Sequence, residues 1–242
     1  MNRKKGMMLS EIPFRNLPVL LKDCGFDFMI VDTEHGGFDY SDLSGILMTA
    51  RLVSLDCIVR LPDNTRRDIT RMMDMGAKGL MLPMTDSAEQ IAKVVEYAKY
   101  APVGKRGIST MRAHTLYHPP KLSEYRKTAN AYTEIYAQIE SKAGLERIDE
   151  ILSVDGVDGF LLGPNDLTCD LGFPADAHAI VEGEIARLSE RAARFGKSSG
   201  IITSDDGYLE AAKRAGMSHF CVGSELSMLK QAALRTVEKI EK

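Results

Sequence analysis

Short aliphatic and β-branched runs recur along the chain, each introduced by a glycine or a charged turn and followed by apolar residues at helical spacing. Eight such runs predict strands: Gly6 to Leu9, Phe28 to Asp32, Cys57 to Leu61, Gly79 to Leu82, Ile135 to Glu140, Gly159 to Leu162, Gly200 to Thr203 and His219 to Val222. The segments between them carry helix-start chemistry. Ser41 opens a stretch with Leu43, Ile46, Leu47 and Ala50, Asp86 precedes Glu89 in a capping-box-like arrangement, and Asp205 and Ser224 sit in equivalent places. One region breaks the rhythm. Residues 100–132 are rich in Pro, Arg, His and Tyr and form an irregular insertion between the fourth helix and the fifth strand; connections of that length are more often functional than idle.

Strands alternating with helices define an α/β chain, and eight of them predict one (β/α)8 barrel domain spanning residues 1–242. A doubly wound open sheet gives a similar one-dimensional pattern. The strand count favours the barrel, and neither a G-x-G-x-x-G nor a P-loop stretch follows the first strand, which weakens the nucleotide-binding open sheet.

Composition narrows the picture. The 242 residues, 44% of them hydrophobic, suffice to bury the core of one barrel-sized domain. A net charge of -3 and the lack of a long basic run argue against nucleic acid or an anionic membrane as the main partner, and point to a small soluble ligand. Cys24, Cys57, Cys169 and Cys221 are far apart and form no C-x-x-C pair, so reduced thiols rather than structural zinc are expected. Arg3, Lys4 and Lys5 are not followed by a long apolar segment, and no run is long enough to span a bilayer; a cytoplasmic location is the expectation.

In a barrel of this kind the chemistry lies at the C-terminal ends of the strands. The second strand ends in Asp32-Thr33-Glu34-His35, the third in Arg60, the fifth in Gln138-Ile139-Glu140 and the sixth in Gly163-Pro164-Asn165-Asp166. Singly, each has a plainer reading as a helix cap, a surface ion pair or turn chemistry. Together they gather acid, base and metal-ligand types at one rim. Glu140 and Asp166 offer hard oxygens to a divalent metal, Mg²⁺ or Mn²⁺ fitting best, with positions left for a 2-oxo acid. Arg60 adds a fixed cation. His35 is the candidate base, and Asp32, in preference to Glu34, is the group expected to hold its tautomer. His114, His118 and His178 lack comparable company, and His219, at the N-terminal end of the last strand, reads as a packing residue. No strand ends in lysine, and Lys78 and Lys197 precede strands four and seven, at the wrong rim for a Schiff base. The stretches Thr203 to Gly207 and Gly223 to Ser227 give no phosphate-binding signal.

The ordered motifs Gly25-Phe-Asp-Phe-Met-Ile-Val-Asp-Thr-Glu-His35, Val59-Arg60, Leu82-Pro83-Met84, Pro102-Val-Gly-Lys-Arg106-Gly107, Gln138-Ile-Glu140 and Gly163-Pro-Asn-Asp166-Leu resemble the HpcH/HpaI aldolase family from about Gly6 to Leu229. Gly-Pro-x-Asp-Leu alone would be weak; the set of six is specific. The resemblance implies a TIM barrel of the phosphoenolpyruvate/pyruvate type whose last helix is exchanged between subunits of a homodimer, commonly assembled into hexamers. It further implies Mg²⁺, Mn²⁺ or Co²⁺ on the residues matching Glu140 and Asp166, pyruvate contact at Arg60, and acid–base chemistry at His35 with Asp32. Gln138, Pro164 and Asn165 would line the donor site, and Arg106 would bind substrate near the pocket mouth. Two departures stand out: the stretch before Gly6 lacks the helical segment usual in relatives, which leaves open how the barrel bottom is closed, and Ser109 to Pro120 matches no known acceptor preference.

The expected activity is therefore that of a class II, metal-dependent aldolase cleaving a 4-hydroxy-2-oxo acid to pyruvate, or a related 2-oxo acid, and an aldehyde. The alternative is a Claisen-type enzyme on the same scaffold, citrate-synthase-like or an acyl-CoA lyase, against which the lack of a Lys/Arg cluster for CoA phosphates counts. A barrel that merely binds a metabolite would be marked by a broken acid, base or metal set, and here the set is intact.

Overall fold

The computed structural model describes residues 3–241. Eight parallel strands form a closed barrel in chain order: β1 (Lys4–Leu9), β2 (Phe28–Asp32), β3 (Asp56–Arg60), β4 (Gly79–Leu82), β5 (Glu134–Ile139), β6 (Gly159–Leu162), β7 (Ser198–Thr203) and β8 (His219–Ser224). Closure is direct, with Lys4 opposite His219 and Gly6 opposite Cys221. The predicted strands are all present, shifted by one or two residues at some ends.

The helices are α1 (Leu17–Asp23), α2 (Tyr40–Leu52), α3 (Arg66–Met75), α4 (Ala88–Ala98), α5 (Leu122–Tyr132), α6 (Lys142–Glu146), α7 (Ile148–Ser153), α8 (Pro164–Asp170), α9 (Ala177–Arg194), α10 (Asp206–Arg214) and α11 (Glu225–Glu241). Their starts refine the sequence reading. Asp39, not Ser41, caps α2 by accepting the Asp42 N–H, and the capping box of α4 is Ser87 with Gln90 rather than Asp86 with Glu89. Asp205 caps α10 as expected. The irregular insertion is shorter than predicted, because residues 122–132 are the regular helix α5; only residues 99–121 wander, with a single 3₁₀ turn at Ala113–Thr115.

Alternation within strands splits the core in two. Met8, Phe28, Ile30, Ile58, Met81, Tyr136, Leu161 and Cys221 fill the barrel interior. Their neighbours Met7, Leu9, Met29, Val31 and Val59 face outward and pack under the helices. Gly6 is part of the interior fit, since a Cβ there would stand 2.3 Å from the Phe28 ring. Below this layer the bottom of the barrel is closed by His219, edge-on to Phe28 and 3.3 Å from the Tyr136 hydroxyl, above a charged ring in which Lys4 and Lys78 pair with Glu134. His219 is 5% exposed and packs as the sequence suggested. All four cysteines are free. Among the described residues no helix is long and apolar enough to cross a membrane.

The last helix does not pack like the others. Of α11 only Glu225 is buried, while Leu226, Leu229, Leu234, Val237 and Ile240 are exposed. Glu225 is a latch: its carboxylate accepts the backbone N–H groups of Ser10, Glu11 and Ile12 at 2.7–3.1 Å, tying the loop after β1 to the end of β8. Beside it, an apolar groove of about 400 Å³ runs between α1 and the first turn of α11, lined by Phe14, Leu17, Leu20, Leu21, Phe26 and Met228.

Burial, reinforced by Lys4, lowers the His219 pKa to about 4. Between that value and the ordinary histidine value near 6.5, the unfolded chain binds the proton and the folded chain does not, so stability falls as pH drops through this window, by up to about 3 kcal/mol. Denaturant titrations at pH 7 and pH 5 should show a smaller loss on acidification for His219→Phe than for the wild type; an equal loss would clear His219 of this role.

Candidate active site

The second strand delivers its acid at the rim. Asp32 ends β2 directly opposite Arg60 at the end of β3, and both side chains are buried. Arg60 donates to Asp32 through two parallel bonds, Nε to Oδ1 at 2.9 Å and Nη2 to Oδ2 at 2.6 Å, the fork geometry that suits a carboxylate best. Asp32 Oδ1 also accepts the backbone N–H groups of Glu34 (3.0 Å) and His35 (3.2 Å). Burial pushes this carboxyl up, but Arg60 and the two amides outweigh it and hold Asp32 below the ordinary carboxylate range.

That arrangement corrects the expected partner of His35. Asp32 meets the backbone of His35, not its ring; the imidazole projects into solvent with its Nε2 3.8 Å from Glu34 Oε2. The reason is electrostatic: the carboxylate lies in register with a permanently charged guanidinium across one strand spacing, and the tight turn of residues 32–35 aims amides at it. Glu34, the residue set aside in the sequence reading, also stands 3.2 Å from Arg60 Nη1. Burial raises its pKa, and the Asp32 and Asp166 charges add to the effect against the pull of Arg60 and His35.

The opposite side of the rim is built around Glu140, which is 2% exposed. Its Oε1 accepts the N–H of Met84 at 2.7 Å, and its Oε2 accepts from the Gln138 amide. Met84 adopts φ 43°, a left-handed conformation uncommon for a non-glycine residue, and this aims its amide at Glu140. On the remaining side Gly163 makes room, because a Cβ there would lie 2.6 Å from Glu140 Oε2. Burial raises the Glu140 carboxyl to about 7, and the Asp166 and Glu34 charges push the same way. Asp166 lies in the exposed first turn of α8, next to exposed Asn165 and buried Pro164.

The structure thus brings Asp32, Glu34, His35, Arg60, Gln138, Glu140 and the Pro164–Asp166 turn to one rim, open to solvent where His35, Met84, Asn165 and Asp166 are exposed. It does not bring Arg106. That side chain lies by the ends of α2, α3 and α5 and the residues leading into β4 and β5, at the N-terminal end of the barrel, where its Nη2 bonds Asp74 Oδ1 at 2.7 Å. The loop carrying it has no apolar period to fix its course, so its position could not be read from the sequence. The Met84 amide and the Gly163 gap were also missed; their signal was the Leu82-Pro83-Met84 motif and the Gly-Pro turn.

A parallel barrel with a fastened arginine and clustered carboxylates at its C-terminal rim is the layout of a carbon–carbon lyase. The pattern of the HpcH/HpaI aldolase/citrate lyase family matches residues 18–232. A hydroxypyruvate/pyruvate aldolase of Roseobacter denitrificans is 33% identical over 87% of this chain and 82% of its own length. A 2-keto-3-deoxy-L-rhamnonate aldolase of Klebsiella pneumoniae is 32% identical over 86% and 78%. The crystal structure of an HpcH/HpaI aldolase from Desulfitobacterium hafniense superposes with a TM-score of 0.93 at 28% identity, covering 100% of this chain and 93% of the other. The chain belongs to the HpcH/HpaI aldolase/citrate lyase family.

Asp32→Ala would leave the Arg60 guanidinium buried without its partner. The expected result is a loss of about 3 kcal/mol of stability in urea titrations; an unchanged midpoint would show that Arg60 finds another acceptor.

Proposed function

We propose that the rim described above reversibly cleaves a 4-hydroxy-2-oxo acid into pyruvate, or a related 2-oxo acid, and an aldehyde, with Arg60 and the Glu140–Asp166 pair on the 2-oxo acid half. The observation that carries this assignment is electrostatic: Asp32, Glu34, Glu140 and Asp166 share a rim with one guanidinium, which is already committed to Asp32. Such a surplus of carboxylate suits a divalent cation. Gln138 Oε1, next to Glu140, is buried without a protein partner, and among the described residues no third acid, histidine or cysteine completes a cluster of three, so a cation on Glu140 and Asp166 keeps positions for substrate oxygens. When bound, that cation supplies Lewis-acid stabilisation of the charge developing on the 2-oxo oxygen.

The chain's own groups do the rest. Arg60, locked by Asp32, orients the donor carboxylate and keto oxygens through its Nη1 edge, which in the free site faces Glu34 Oε2 at 3.2 Å. His35 takes the proton from the C4 hydroxyl as the C3–C4 bond breaks, and Glu34 steadies the ring. The electron pair passes to the enolate, and a proton returned at C3 completes pyruvate. Pro164 and Asn165 border the donor position from α8. A Claisen-type relative would need the same enolate, and only the donor substrate separates the two.

The experiment is exchange of the pyruvate methyl protons in D2O, followed by NMR on protein treated with EDTA and then resupplied with Mg²⁺, Mn²⁺ or Co²⁺. Exchange should require metal and vanish in Glu140→Gln, and Arg60→Ala should lower kcat/KM for cleavage by the equivalent of about 2–4 kcal/mol. No exchange with any of the metals would sink the assignment.

The exposed face of α11 supports a homodimer exchanging this helix. Leu226, Leu229, Ala233, Val237 and Ile240 recur at three- and four-residue steps along one side, the spacing of a helix that packs on a partner. A second copy's helix is the natural cover for this face and for the groove beside α1. Light scattering should find the full chain as a dimer or a higher multiple of it and the chain shortened after Ser227 as monomer; a monomeric full-length protein would overturn the exchange.

A further inference from the structure

Among the described residues, six buried side-chain polar atoms find no hydrogen-bond partner in the protein. Two, Glu34 Oε2 and Gln138 Oε1, lie at the catalytic rim, where a ligand belongs. Three others gather at a second place at the other end of the barrel: Arg51 Nε, Arg106 Nε and Tyr100 Oη. Arg51 and Arg106 line a cavity of about 210 Å³ closed by Met73 of α3, by Tyr125 and Tyr132 of α5, and by His114 of the wandering loop. Unpartnered buried N–H donors are costly, and their concentration around one cavity marks it as built to receive acceptor atoms.

We propose that this cavity is a second binding site, taking a small oxyanion between Arg51 and Arg106. The Arg106 side chain is 1% exposed and spends one edge on Asp74, while its Nε is left without a partner beside the cavity. Its guanidinium stacks 4.8 Å above the Tyr100 ring, and that of Arg51 lies 5.1 Å above the Tyr132 ring, so both forks are fixed in direction before any ligand arrives. His114 contributes no charge: burial lowers its pKa, its Nε2 donates to the Ser109 carbonyl at 2.9 Å, and its Nδ1 accepts from the Tyr125 hydroxyl. Of charged side chains only Arg51 and Arg106 line the cavity, and Asp74 is bonded to Arg106; behind Tyr132 the carboxylates of Asp56 and Glu134 are paired with Lys4 and Lys78, which leaves an excess of one positive charge. A cavity of about 210 Å³ has room for inorganic phosphate or a short dicarboxylate. Such an anion would bridge α2 to residues 99–121, clamping the loop onto the barrel.

Inorganic phosphate and malonate serve as probes of the two oxyanion chemistries, titrated by calorimetry into the EDTA-treated full-length protein in chloride buffer of low ionic strength. One saturable site is expected, with the tighter probe naming the class. Binding should persist in Arg60→Met, which disables the catalytic rim and whose fold is checked by circular dichroism because Asp32 is left unpaired, and weaken at least about tenfold in Arg51→Gln, the loss of one charge-assisted contact. Metal-dependent pyruvate exchange at the wild-type rate reports that Arg51→Gln is folded. Should that variant not fold, selenate soaked into crystals of the unaltered protein gives an independent reading, an anomalous peak between Arg51 and Arg106. Absence of saturable binding at millimolar concentrations together with no such peak overturns the site, as does binding that disappears in Arg60→Met and survives in Arg51→Gln.

Discussion

Asp32 and Arg60 face each other across neighbouring strands, and neither can be buried at the top of the barrel without the other. An isolated charge at that depth would cost several kcal/mol, whereas the carboxylate here is met by four donors, two from the guanidinium and two from the backbone. The same contacts shape the turn that follows. Thr33 closes onto the Arg60 carbonyl through its amide and its hydroxyl, so the ends of β2 and β3 move as one body. Glu34 and His35 owe their places at the rim to that body, to which Glu34 adds its own contact with Arg60 Nη1.

Across the rim the chain does the opposite: it assembles negative charge without a matching cation. Glu140 is held in a buried position by the amide of a left-handed Met84 and by a glycine that leaves space, at the cost of desolvating a carboxylate. Local structure that opposes stability is the mark of a functional constraint. The tightly packed interior below, from Phe28 to Cys221, supplies the rigidity against which such a site is maintained.

Features governed by short-range periodicity were legible in the sequence. The eight strands alternate apolar residues inward and outward or carry continuous aliphatic runs, and a parallel sheet covered on both faces writes both signatures. Strand ends then located Asp32, Arg60, Glu140 and Asp166, because register turns a position in the chain into a position on the rim. What the sequence left undetermined depends on side-chain direction and on loops. Whether Asp32 met the ring or the backbone of His35 turned on the geometry of one tight turn. Arg106 lies in residues 99–121, whose course is set by contacts with α2 and α3 rather than by a repeat of its own. The capping of α4 by Ser87 instead of Asp86 is the ordinary one-residue ambiguity among adjacent capping residues.

The rim divides unevenly between buried and exposed members. Arg60, Gln138 and Glu140 are interior residues whose replacement disturbs strands, whereas His35, Met84, Asn165 and Asp166 stand in water. Substitution at a buried member is transmitted into β3 or β5, whereas substitution at an exposed member such as His35 or Asp166 leaves the strands as they are. The geometry of the rim is therefore set by the packing of the barrel, and what meets it from solution by side chains that this packing does not constrain.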